Sequence, residues 1–554
     1  MRMLHVTRSR RVVSVAVLSI VVAGAGLLAV AATAAPGTAR ARARASAGST
    51  LVVVSPVGVP SLDGENFGTS TQQEVLTNVG EPILRFKPLT TKQHGAPIGS
   101  ATQFVGGACK SYKFTGKAFT CNLGHFVSPY GNTLTSADVK FTLDYLIATK
   151  ANGLVGMTLS GIDVKHPITI SSPTKFTINL SQHNTTVVPA LTFWTFDPLD
   201  SKEVKKHATA KDPFARAWLA THTAMFGPYQ VTKFVPNQEV DLAKNPNYTG
   251  NPAAGIPTPT YDQVVYRAVP NDGTRAQLLC SGAASLTKSI NVNLYQPLKS
   301  CKNVTTYNFP YIAEPTLYFN VKVKPFDNPN LRKAIACAIN KQQISQSVYS
   351  GQWPPAHSLA TPKLPSITEK YDICPTPDIA KSKQFLSAAG YNGETLNLYY
   401  SVGNSGQDAQ ENATLIQSQL KEAGINTSLQ AVPDASKFFE GAITAQYGMF
   451  VFLWGANVPT AAWAFGAWFG PTSFLNGTGY GTPQTAKDVL HLQTTSLTSR
   501  AQTAASQDFQ KQFMQNAVVV PLVYQQNTII VNKSVCGLRS DPGDFPYWQF
   551  LRPC

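Results

Sequence analysis

The stretch MFVFLWGANVP, residues 449–459, decides the fold class of this chain. Its first six residues, 449–454, form an apolar run that mixes aromatic and β-branched side chains. Such a run is too short for a membrane span and is typical of a strand buried on both faces. The small or polar residues 455–457 then leave the backbone accessible, and Pro459 ends strand pairing because it has no N–H. The sequence therefore predicts a central strand with a docking position at its carboxyl end.

An aromatic cluster follows this strand and comprises Trp463, Phe465, Trp468 and Phe469. One interpretation is a core strand followed by a helix whose rings fill that core, since aromatic side chains are mostly buried. The other interpretation is that the rings form one wall of a ligand cleft. The residues alone leave both interpretations open.

The 554 residues exceed what one hydrophobic core usually supports, so two or three domains are expected. Hydrophobic residues make up 43% and charged residues 14% of the chain, as in ordinary globular proteins. The formal charge is +16, but seven arginines and no acid lie in residues 1–47, which leaves +9 for the rest. No basic run or basic helix occurs in that remainder, so we expect no nucleic-acid partner.

The N-terminus has the pattern of an export signal. Four arginines precede the uncharged run Val12 to Ala35, and Ala32-Thr-Ala34 offers the small-x-small sequence of a signal-peptidase site. We therefore expect residues 1–35 to direct secretion to the periplasm or the outer face of the membrane, and residues 36–49 to form a disordered tether. The 24-residue apolar run is also long enough to cross a bilayer, so an uncleaved anchor is the alternative. No cysteine precedes Cys109, which argues against a lipid-anchored cysteine.

The eight cysteines all lie in the part expected to be exported, where disulfides persist. Eight cysteines allow about a hundred pairings, and their spacing favours bridges between sequence neighbours. No CxxC motif occurs and the nine histidines are scattered, so we expect no metal and no cofactor. The expected bridges are Cys109 with Cys121, Cys280 with Cys301, Cys337 with Cys374, and Cys536 with Cys554.

The body of the chain alternates strand and helix signals, which is typical of an α/β fold. A capping box at Thr135 and Asp138 predicts a helix that begins at Ser136. Gly424 ends the helix of a β-α-β unit, whose strands a right-handed crossover makes parallel. The other predicted elements are strands at 50–55, 261–269, 317–320 and 519–531, a hairpin turning at Pro236-Asn237, helices at 272–279 and 330–344, and the strands of the unit at 396–400 and 425–432.

Seven segments of the chain, taken in order, match one known pattern. They are GNTLTSADVKFTLDYL (131–146), GPYQVTKFVPNQEVDLAKNPNY (227–248), YDQVVYRAVPNDGTRAQLLCSG (261–282), LYFNVKVKPFDNPNLRKAIACAINKQQI (317–344), AKSKQFLSAAGY (380–391), IQSQLKEAGI (416–425) and VVPLVY (519–524). This order resembles the extracytoplasmic solute-binding proteins, family 5, the oligopeptide- and dipeptide-binding components of ABC importers. The similarity covers nearly all of residues 50–540.

The resemblance implies an α/β fold, namely a two-lobed periplasmic-binding-protein-like clamp with mixed sheets and an extra subdomain in the first lobe. Transferred to this chain, the first lobe comprises residues 50–85, 191–315 and 525–554. The extra subdomain comprises residues 86–190, and the second lobe comprises residues 316–524. We expect a hinge of two crossing segments and a ligand enclosed between the lobes.

The implied function is that of an extracytoplasmic substrate-binding protein of an ABC importer. Such a protein is a monomer that captures a peptide or peptide-like solute and delivers it to a membrane permease. Peptide binders of this family hold the ligand through strand-like backbone on both lobes, so varied side chains are accepted. The matching positions are Ser61, Leu62, Asp63 and Gly64 in the first lobe and Leu453, Trp454, Gly455 and Ala456 in the second, with Asn457 and Trp463 beside them.

Asn457 departs from the family pattern. Peptide binders of the family place an aspartate just after the tryptophan-containing strand, where it neutralises the amino terminus of the peptide. Asparagine carries no charge, and a buried ammonium group without an anionic partner is costly. The sequence predicts either a ligand without a free amine or another acid, Asp63 or Glu65, in that role. A structural alternative is that Asn457 caps a helix that begins near Thr460.

Two other classes of protein compete with this interpretation. An exported protease or esterase needs a nucleophile beside a base, and the sequence has no GxSxG, no HExxH and no Cys-His pair of recognisable spacing. We therefore expect no enzyme activity. The remaining alternative is a solute sensor or surface interaction protein that binds a non-peptide ligand in the same clamp.

Overall fold

The computed structural model describes residues 49–64, 70–88, 99–150, 152–288, 291, 294–310, 313–362, 364, 366–402, 407–456, 458–540 and 545–554. The predicted export signal, most of the predicted tether, Glu65 and Asn457 lie outside these residues. Within the described part of the chain, none of the helices combines the length and the hydrophobicity that a membrane crossing requires.

The strands are numbered in chain order. They are β1 (Thr50–Ser55), β2 (Leu84–Pro88), β3 (Gly99–Gly106), β4 (Cys109–Phe114), β5 (Ala118–Leu123), β6 (Ile168–Ser172), β7 (Lys175–Asn179), β8 (Tyr229–Val235), β9 (Glu239–Lys244), β10 (Gln263–Ala268), β11 (Leu286–Lys288), β12 (Val304–Pro310), β13 (Ala313–Phe319), β14 (Leu396–Tyr400), β15 (Thr427–Ala431), β16 (Met449–Gly455), β17 (Val519–Pro521), β18 (Gln526–Asn532), β19 (Val535–Cys536) and β20 (Arg552–Pro553).

The α-helices are numbered in the same way. They are α1 (Ser70–Val79), α2 (Ser136–Thr149), α3 (Asn152–Leu159), α4 (Val187–Ala190), α5 (Ser201–Lys206), α6 (Arg216–Leu219), α7 (Asp272–Ser281), α8 (Tyr295–Lys299), α9 (Pro329–Ala338), α10 (Lys341–Tyr349), α11 (Ile379–Ala389), α12 (Gln407–Glu422), α13 (Ala435–Ile443), α14 (Ala461–Trp468), α15 (Pro483–Thr494) and α16 (Arg500–Gln515).

Strand β16 is the middle strand of a five-stranded sheet with the order β15-β14-β16-β13-β17. It pairs antiparallel with β13 and parallel with β14, and its side chains are mostly buried. The predicted central strand is therefore confirmed. The β-α-β unit is confirmed as well, because β14 and β15 are parallel and Gly424 adopts a φ of 84° after α12.

The second large sheet is a mixed sheet of seven strands in the order β12-β18-β11-β1-β10-β9-β8. The predicted strand β1 lies at its centre and runs parallel to both β10 and β11. Strands β8 and β9 form the predicted hairpin, and Asn237 at its turn adopts a positive φ of 60°. Distant parts of the chain, from β1 to β18, thus meet in one sheet.

A separate antiparallel sheet, β4-β5-β7-β6, contacts helix α2. This helix begins at Ser136 as predicted, and the Asp138 carboxylate accepts a hydrogen bond from Thr135 N at 2.7 Å. The same carboxylate accepts from Ser201 N at 3.0 Å and from Ser201 Oγ at 2.6 Å. Asp138, which completes the cap of α2, therefore also bonds this helix to the start of α5.

Two crossing segments join the two large sheets. The chain passes from β12 to β13 and returns from β17 to β18. Leu522 N donates to Pro315 O at 3.0 Å, and Gln525 N donates to Ala313 O at 3.2 Å, so the segment between β17 and β18 is bonded to the start of β13. This connection is the kind of two-segment hinge about which clamp proteins open and close.

The single helix predicted over 330–344 is wrong, because the structure has two helices there, α9 and α10. The apolar period continues through Ile339, but the Asn340 side chain accepts a hydrogen bond from Gln343 N and starts a new helix. Asparagine bonds readily to nearby backbone N–H groups and therefore favours a cap over a helix interior. Hydrophobic periodicity alone does not report this break.

The four disulfides join the sequence neighbours that the spacing predicts. Each closes a short or moderate loop, which limits the conformations of the unfolded chain more than those of the native one. The pairs are Cys109–Cys121, Cys280–Cys301, Cys337–Cys374 and Cys536–Cys554.

The Cys337–Cys374 bridge closes the longest of these loops, with a sequence separation of 37. We expect the double substitution Cys337→Ala, Cys374→Ala to lower the free energy of unfolding by about 3–4 kcal/mol, because the unfolded chain regains the entropy of that loop. Urea unfolding measures this change. A loss below about 1 kcal/mol would contradict the loop-closure account.

Candidate functional site

The side chain of Trp454 belongs to the core of the second lobe. It is 1% exposed, its Nε1 donates to Thr316 Oγ1 at 3.2 Å, and its ring meets that of Phe469 edge-on with centroids 5.1 Å apart. Phe465 stacks on Phe509 of α16, with centroids 5.0 Å apart. For these aromatic side chains the structure supports the core interpretation.

The backbone at the end of β16 differs from the Trp454 side chain in its exposure. Leu453 and Gly455 are partly exposed, whereas Ala456 is buried. Trp468 Nε1 donates to Gly455 O at 2.6 Å, so this carbonyl already has one partner. Because a carbonyl oxygen has two lone pairs, a second donor from a ligand can still bind there.

The helix after β16 is capped by Thr460, whose side chain accepts a hydrogen bond from Trp463 N. Thr460 thus fills the capping role that the structural alternative gives to Asn457. Asn457 itself lies outside the described residues.

The first-lobe loop 61–64 is held in place by backbone and side-chain bonds. Leu62 N donates to Ala220 O at 2.9 Å, and Gln72 Nε2 donates to Asp63 O at 2.7 Å. Ser61 and Gly64 are partly exposed, and Leu62 and Asp63 are buried. The predicted first-lobe contacts therefore form a fixed surface.

The carboxylate of Asp63 is neutralised within the chain. It is 2% exposed, accepts a hydrogen bond from Tyr145 Oη, and forms an ion pair with Arg216, whose Nε lies 2.9 Å from Asp63 Oδ2. The hypothesis that Asp63 supplies a charge to the ligand is therefore not supported, because its charge is already balanced. The other acid of that hypothesis, Glu65, lies outside the described residues.

Thr185 and helix α3 each contact the segment 463–495. Thr185 N and Oγ1 donate to Gln493 O at 2.7 and 3.0 Å, and Thr185 Oγ1 also lies 2.9 Å from Thr495 O. Trp463 lies against α3, where a methyl group on Gly156 would lie 3.5 Å from the Trp463 ring. These contacts join Thr185 and α3 to the part of the chain that holds α14 and α15.

Removing the Thr185 hydroxyl tests whether these contacts hold the cleft closed. We expect Thr185→Val to shift the unliganded protein toward an open form, because the side-chain bonds to the second lobe are lost while the volume is kept. Small-angle X-ray scattering would record a larger radius of gyration than that of the wild type. Thr158→Val is the control, because the Thr158 hydroxyl bonds only within its own helix, to Leu154 O. An equal change in both variants would contradict the expectation.

A cavity of about 40 Å³ lies beneath the first-lobe loop, which is room for a few water molecules. Leu62 and Gly64 line it together with Tyr145, Trp194 and Asp197. Among the described residues, Trp194 Nε1, Thr195 Oγ1 and Asp197 Oδ1 have no hydrogen-bond partner although they are buried. Burial raises the pKa of Asp197 well above its usual value, while the charge of Arg85 lowers it. Three residues that line the cavity thus carry buried polar atoms without a partner.

The segment 194–197 was not predicted as part of the site. Its sequence WTFD places two aromatic residues and an acid together, and that composition is its only local signal. No catalytic or binding motif covers it.

A second group of buried polar side chains lies beside the crossing segments. Tyr524 Oη bonds to Ser358 Oγ at 2.7 Å and donates to Glu369 Oε1 at 2.8 Å. Lys341 Nζ donates to Ala356 O at 2.9 Å and lies 2.7 Å from Asp372 Oδ2. Charged side chains therefore lie beside the segment between β17 and β18.

Within the described residues, no group of three or more histidine, cysteine, aspartate or glutamate side chains is arranged to hold a metal ion. The chemistry offered by the described site is hydrogen bonding, ion pairing and apolar contact.

The model of one protein family matches this chain, namely that of the bacterial extracellular solute-binding proteins, family 5, over residues 131–476. The glutathione-binding protein GsiB of Pectobacterium atrosepticum is 31% identical over 284 residues, which are 50% of this chain and 54% of that protein. The chain thus spans about half the length of the curated relatives it matches.

Solved structures have the same fold over nearly the whole chain. The ABC transporter-associated periplasmic binding protein DppA of Helicobacter pylori, in complex with the peptide STSA, has a TM-score of 0.76 at 19% identity, covering 93% of this chain and 99% of its own. A dipeptide binding protein of Pseudoalteromonas sp. SM9913, in complex with Met-Leu, has a TM-score of 0.75 at 17% identity, covering 91% and 100%. At these identities the likeness shows the two-lobed fold.

Proposed function

Since this chain belongs to the bacterial extracellular solute-binding proteins, family 5, we propose that it captures a peptide or peptide-like solute between its lobes. We propose further that it delivers this solute to the membrane permease of an ABC importer. The proposal treats the protein as a carrier that binds and releases its solute unchanged, and not as an enzyme.

The observation that carries this proposal is that the chain crosses twice between the two large sheets, from β12 to β13 and from β17 to β18. Leu522 and Gln525, between β17 and β18, bond to Pro315 and Ala313 of β13, beside the place where the chain passes from one large sheet to the other. A solute that contacts both lobes favours the closed form by its differential affinity for that form. The names of the compared proteins, which include glutathione, the peptide STSA and Met-Leu as ligands, support a peptide as the solute.

The proposed contacts are the loop 61–64 and the backbone at 453–457, with Trp463 where the extra subdomain meets the second lobe. The partly exposed Ser61, Gly64, Leu453 and Gly455 are the positions at which peptide backbone has direct access in this conformation. Main-chain bonding of this kind gives affinity without selecting one side chain.

The proposed location is outside the cytoplasm, reached through the export signal in residues 1–35. The four disulfides support this location, because such bonds persist in oxidising compartments. The proposed partners are the solute and the permease subunits, and the protein is proposed to act as a monomer.

The test is titration calorimetry combined with small-angle scattering on protein purified from the extracytoplasmic fraction of an expression host. The probes are Ser-Thr-Ser-Ala, Met-Leu and reduced glutathione, with a free sugar as the negative control. We expect at least one peptide to bind and to lower the radius of gyration. If no peptide binds while a non-peptide solute does, the sensor alternative replaces peptide capture.

A further inference from the structure

The antiparallel sheet β4-β5-β7-β6 has one buried face and one exposed face. Successive side chains of a strand point to opposite faces, so the pairing register assigns each residue to a face. The buried face is apolar, and its fully buried side chains include Phe119, Cys121, Phe176 and Ile178. The opposite face, which we call the polar sheet face, carries two rows of side chains that cross all four strands. The rows are Lys113, Thr120, Thr177 and Thr169, and Ser111, Asn122, Lys175 and Ser172.

The eight side chains of the polar sheet face are all polar or positively charged, and all are at least partly exposed. Some of them bond to one another across the strands. Thr120 Oγ1 lies 3.1 Å from Thr177 Oγ1. Asn122 Nδ2 donates to Ser111 Oγ at 3.0 Å. These bonds order the rows and leave the face open to solvent.

The sheet is also positively charged. Residues 109–123 and 168–179, which contain its four strands, include four lysines and no aspartate or glutamate. All four lysines are exposed, and two of them belong to the polar sheet face. The four are Lys110, Lys113, Lys117 and Lys175. The sheet therefore presents charge of one sign only.

These lysines have no acidic partner within the described chain. None of the four forms an ion pair with a described residue, whereas Lys140 of α2 pairs with Asp144 at 2.6 Å. Asp163, which comes shortly before β6, is engaged within its own loop. Its carboxylate accepts a hydrogen bond from Lys165 N at 3.0 Å and lies 3.7 Å from His166 Nδ1. The positive charge of the sheet is thus available to an external anion.

The chemistry of the polar sheet face selects among anionic partners. Lysine is a compact cation that binds phosphate as a point charge, and hydroxyl groups can donate further hydrogen bonds to phosphate oxygens. None of the eight residues has an aromatic ring on which a base could stack, and none has a large apolar side chain that could enter the acyl region of a membrane. The face therefore fits a layer of phosphate groups that it touches without penetrating.

We propose that the polar sheet face docks on the phosphate headgroups of an anionic phospholipid membrane. This binding activity goes beyond solute capture and does not depend on it. Under the proposed location outside the cytoplasm, the membrane that carries the permease offers such headgroups. Each lysine held near an anionic surface strengthens binding by about fivefold, so the four lysines together provide a reversible contact that one alone would not.

The test is the rate at which individual lysines of the full chain are acetylated in the presence of vesicles, read by peptide mass spectrometry. The vesicles contain phosphatidylcholine alone or an equal mixture of phosphatidylcholine and phosphatidylglycerol. We expect the mixed vesicles to slow acetylation of Lys113 and Lys175 by at least about fivefold, and the neutral vesicles to leave it unchanged. Added salt should remove the protection, because it screens exposed charges. The readout is local, so it reports this face even where residues 1–35 attach the chain to a vesicle.

The internal controls are Lys421 of α12 and Lys437 of α13, which are exposed lysines on helices outside this sheet. Neither vesicle should slow their acetylation. They also supply the matched variant, because Lys421→Gln with Lys437→Gln lowers the net charge as much as Lys113→Gln with Lys175→Gln. We expect the sheet variant to weaken the salt-sensitive part of cosedimentation with mixed vesicles by at least about tenfold, and the control variant by less than about twofold. Both variants should keep the wild-type melting temperature, because all four positions are exposed.

Three results would overturn the inference. The first is equal acetylation of Lys113 and Lys175 with neutral and mixed vesicles. The second is equal weakening of cosedimentation by the two double substitutions. The third is protection of the two lysines by inorganic polyphosphate but not by vesicles, because the partner would then be a soluble phosphate polymer and not a membrane.

Discussion

Replacing Glu81 by glutamine will lower the free energy of unfolding by about 3–5 kcal/mol, because it leaves the Arg85 guanidinium buried without its counter-charge. Both side chains are at most 2% exposed. Arg85 Nε donates to Glu81 Oε1 at 2.9 Å and Nη2 donates to Oε2 at 2.6 Å, while Tyr248 Oη adds a third bond at 2.9 Å. Denaturant unfolding at neutral pH measures the change.

The control for this substitution is Glu203→Gln. Glu203 pairs with Lys206 at 2.6 Å, but the lysine side chain is 63% exposed, so the loss should stay below about 1 kcal/mol. Replacing both members of the buried pair, as in Glu81→Leu with Arg85→Met, should recover most of the stability because no unpaired charge remains. A loss from Glu81→Gln as small as that from Glu203→Gln would contradict the account.

Trp454→Ala will lower the free energy of unfolding by about 3–5 kcal/mol, because it removes a fully buried ring from the middle of the five-stranded sheet and leaves a cavity. The bond from Nε1 to Thr316 Oγ1 is lost with it. Trp454→Phe should lower the free energy of unfolding by less than Trp454→Ala, since most of the ring volume remains. The measurement is the same unfolding experiment, with ligand titration of each folded variant beside it.

Trp218→Ala is the control for this second substitution. Trp218 stacks between His207 and His222, with ring centroids 4.1 and 4.8 Å away, but it is only partly buried. Trp218→Ala should therefore lower the free energy of unfolding by less than half as much as Trp454→Ala. If Trp454→Ala abolished peptide binding with little loss of stability, the ring would be a ligand contact and its placement in the core would be wrong.

Much of the fold follows from short-range patterns. The alternation and apolar runs around β1, β8, β9 and β16 place these strands correctly, because side chains that alternate faces report burial directly. The capping box at Thr135 and the glycine stop at Gly424 fix helix ends through bonds within a few residues. The break between α9 and α10 escaped prediction because Asn340 competes with a continuing apolar period.

The candidate site is predicted less completely. The loop 61–64 came from the family resemblance, whereas the end of β16 was also predicted from residues 449–459 themselves, and both stay proposals for ligand contact. The segment 194–197 carries no local motif, and only its buried, unpartnered polar atoms single it out.

By itself the sequence determined the α/β class, the central strand, the neighbouring disulfides and the family resemblance, because each depends on residues close together in the chain or on their order. Only the tertiary structure decided which charges are balanced. Asp63 meets Arg216 across 153 residues, and Thr185 meets Gln493 across 308. Such partners are chosen by the packing of distant elements, and no periodicity encodes that packing. The same packing buries the Glu314 carboxylate opposite Trp454 of β16.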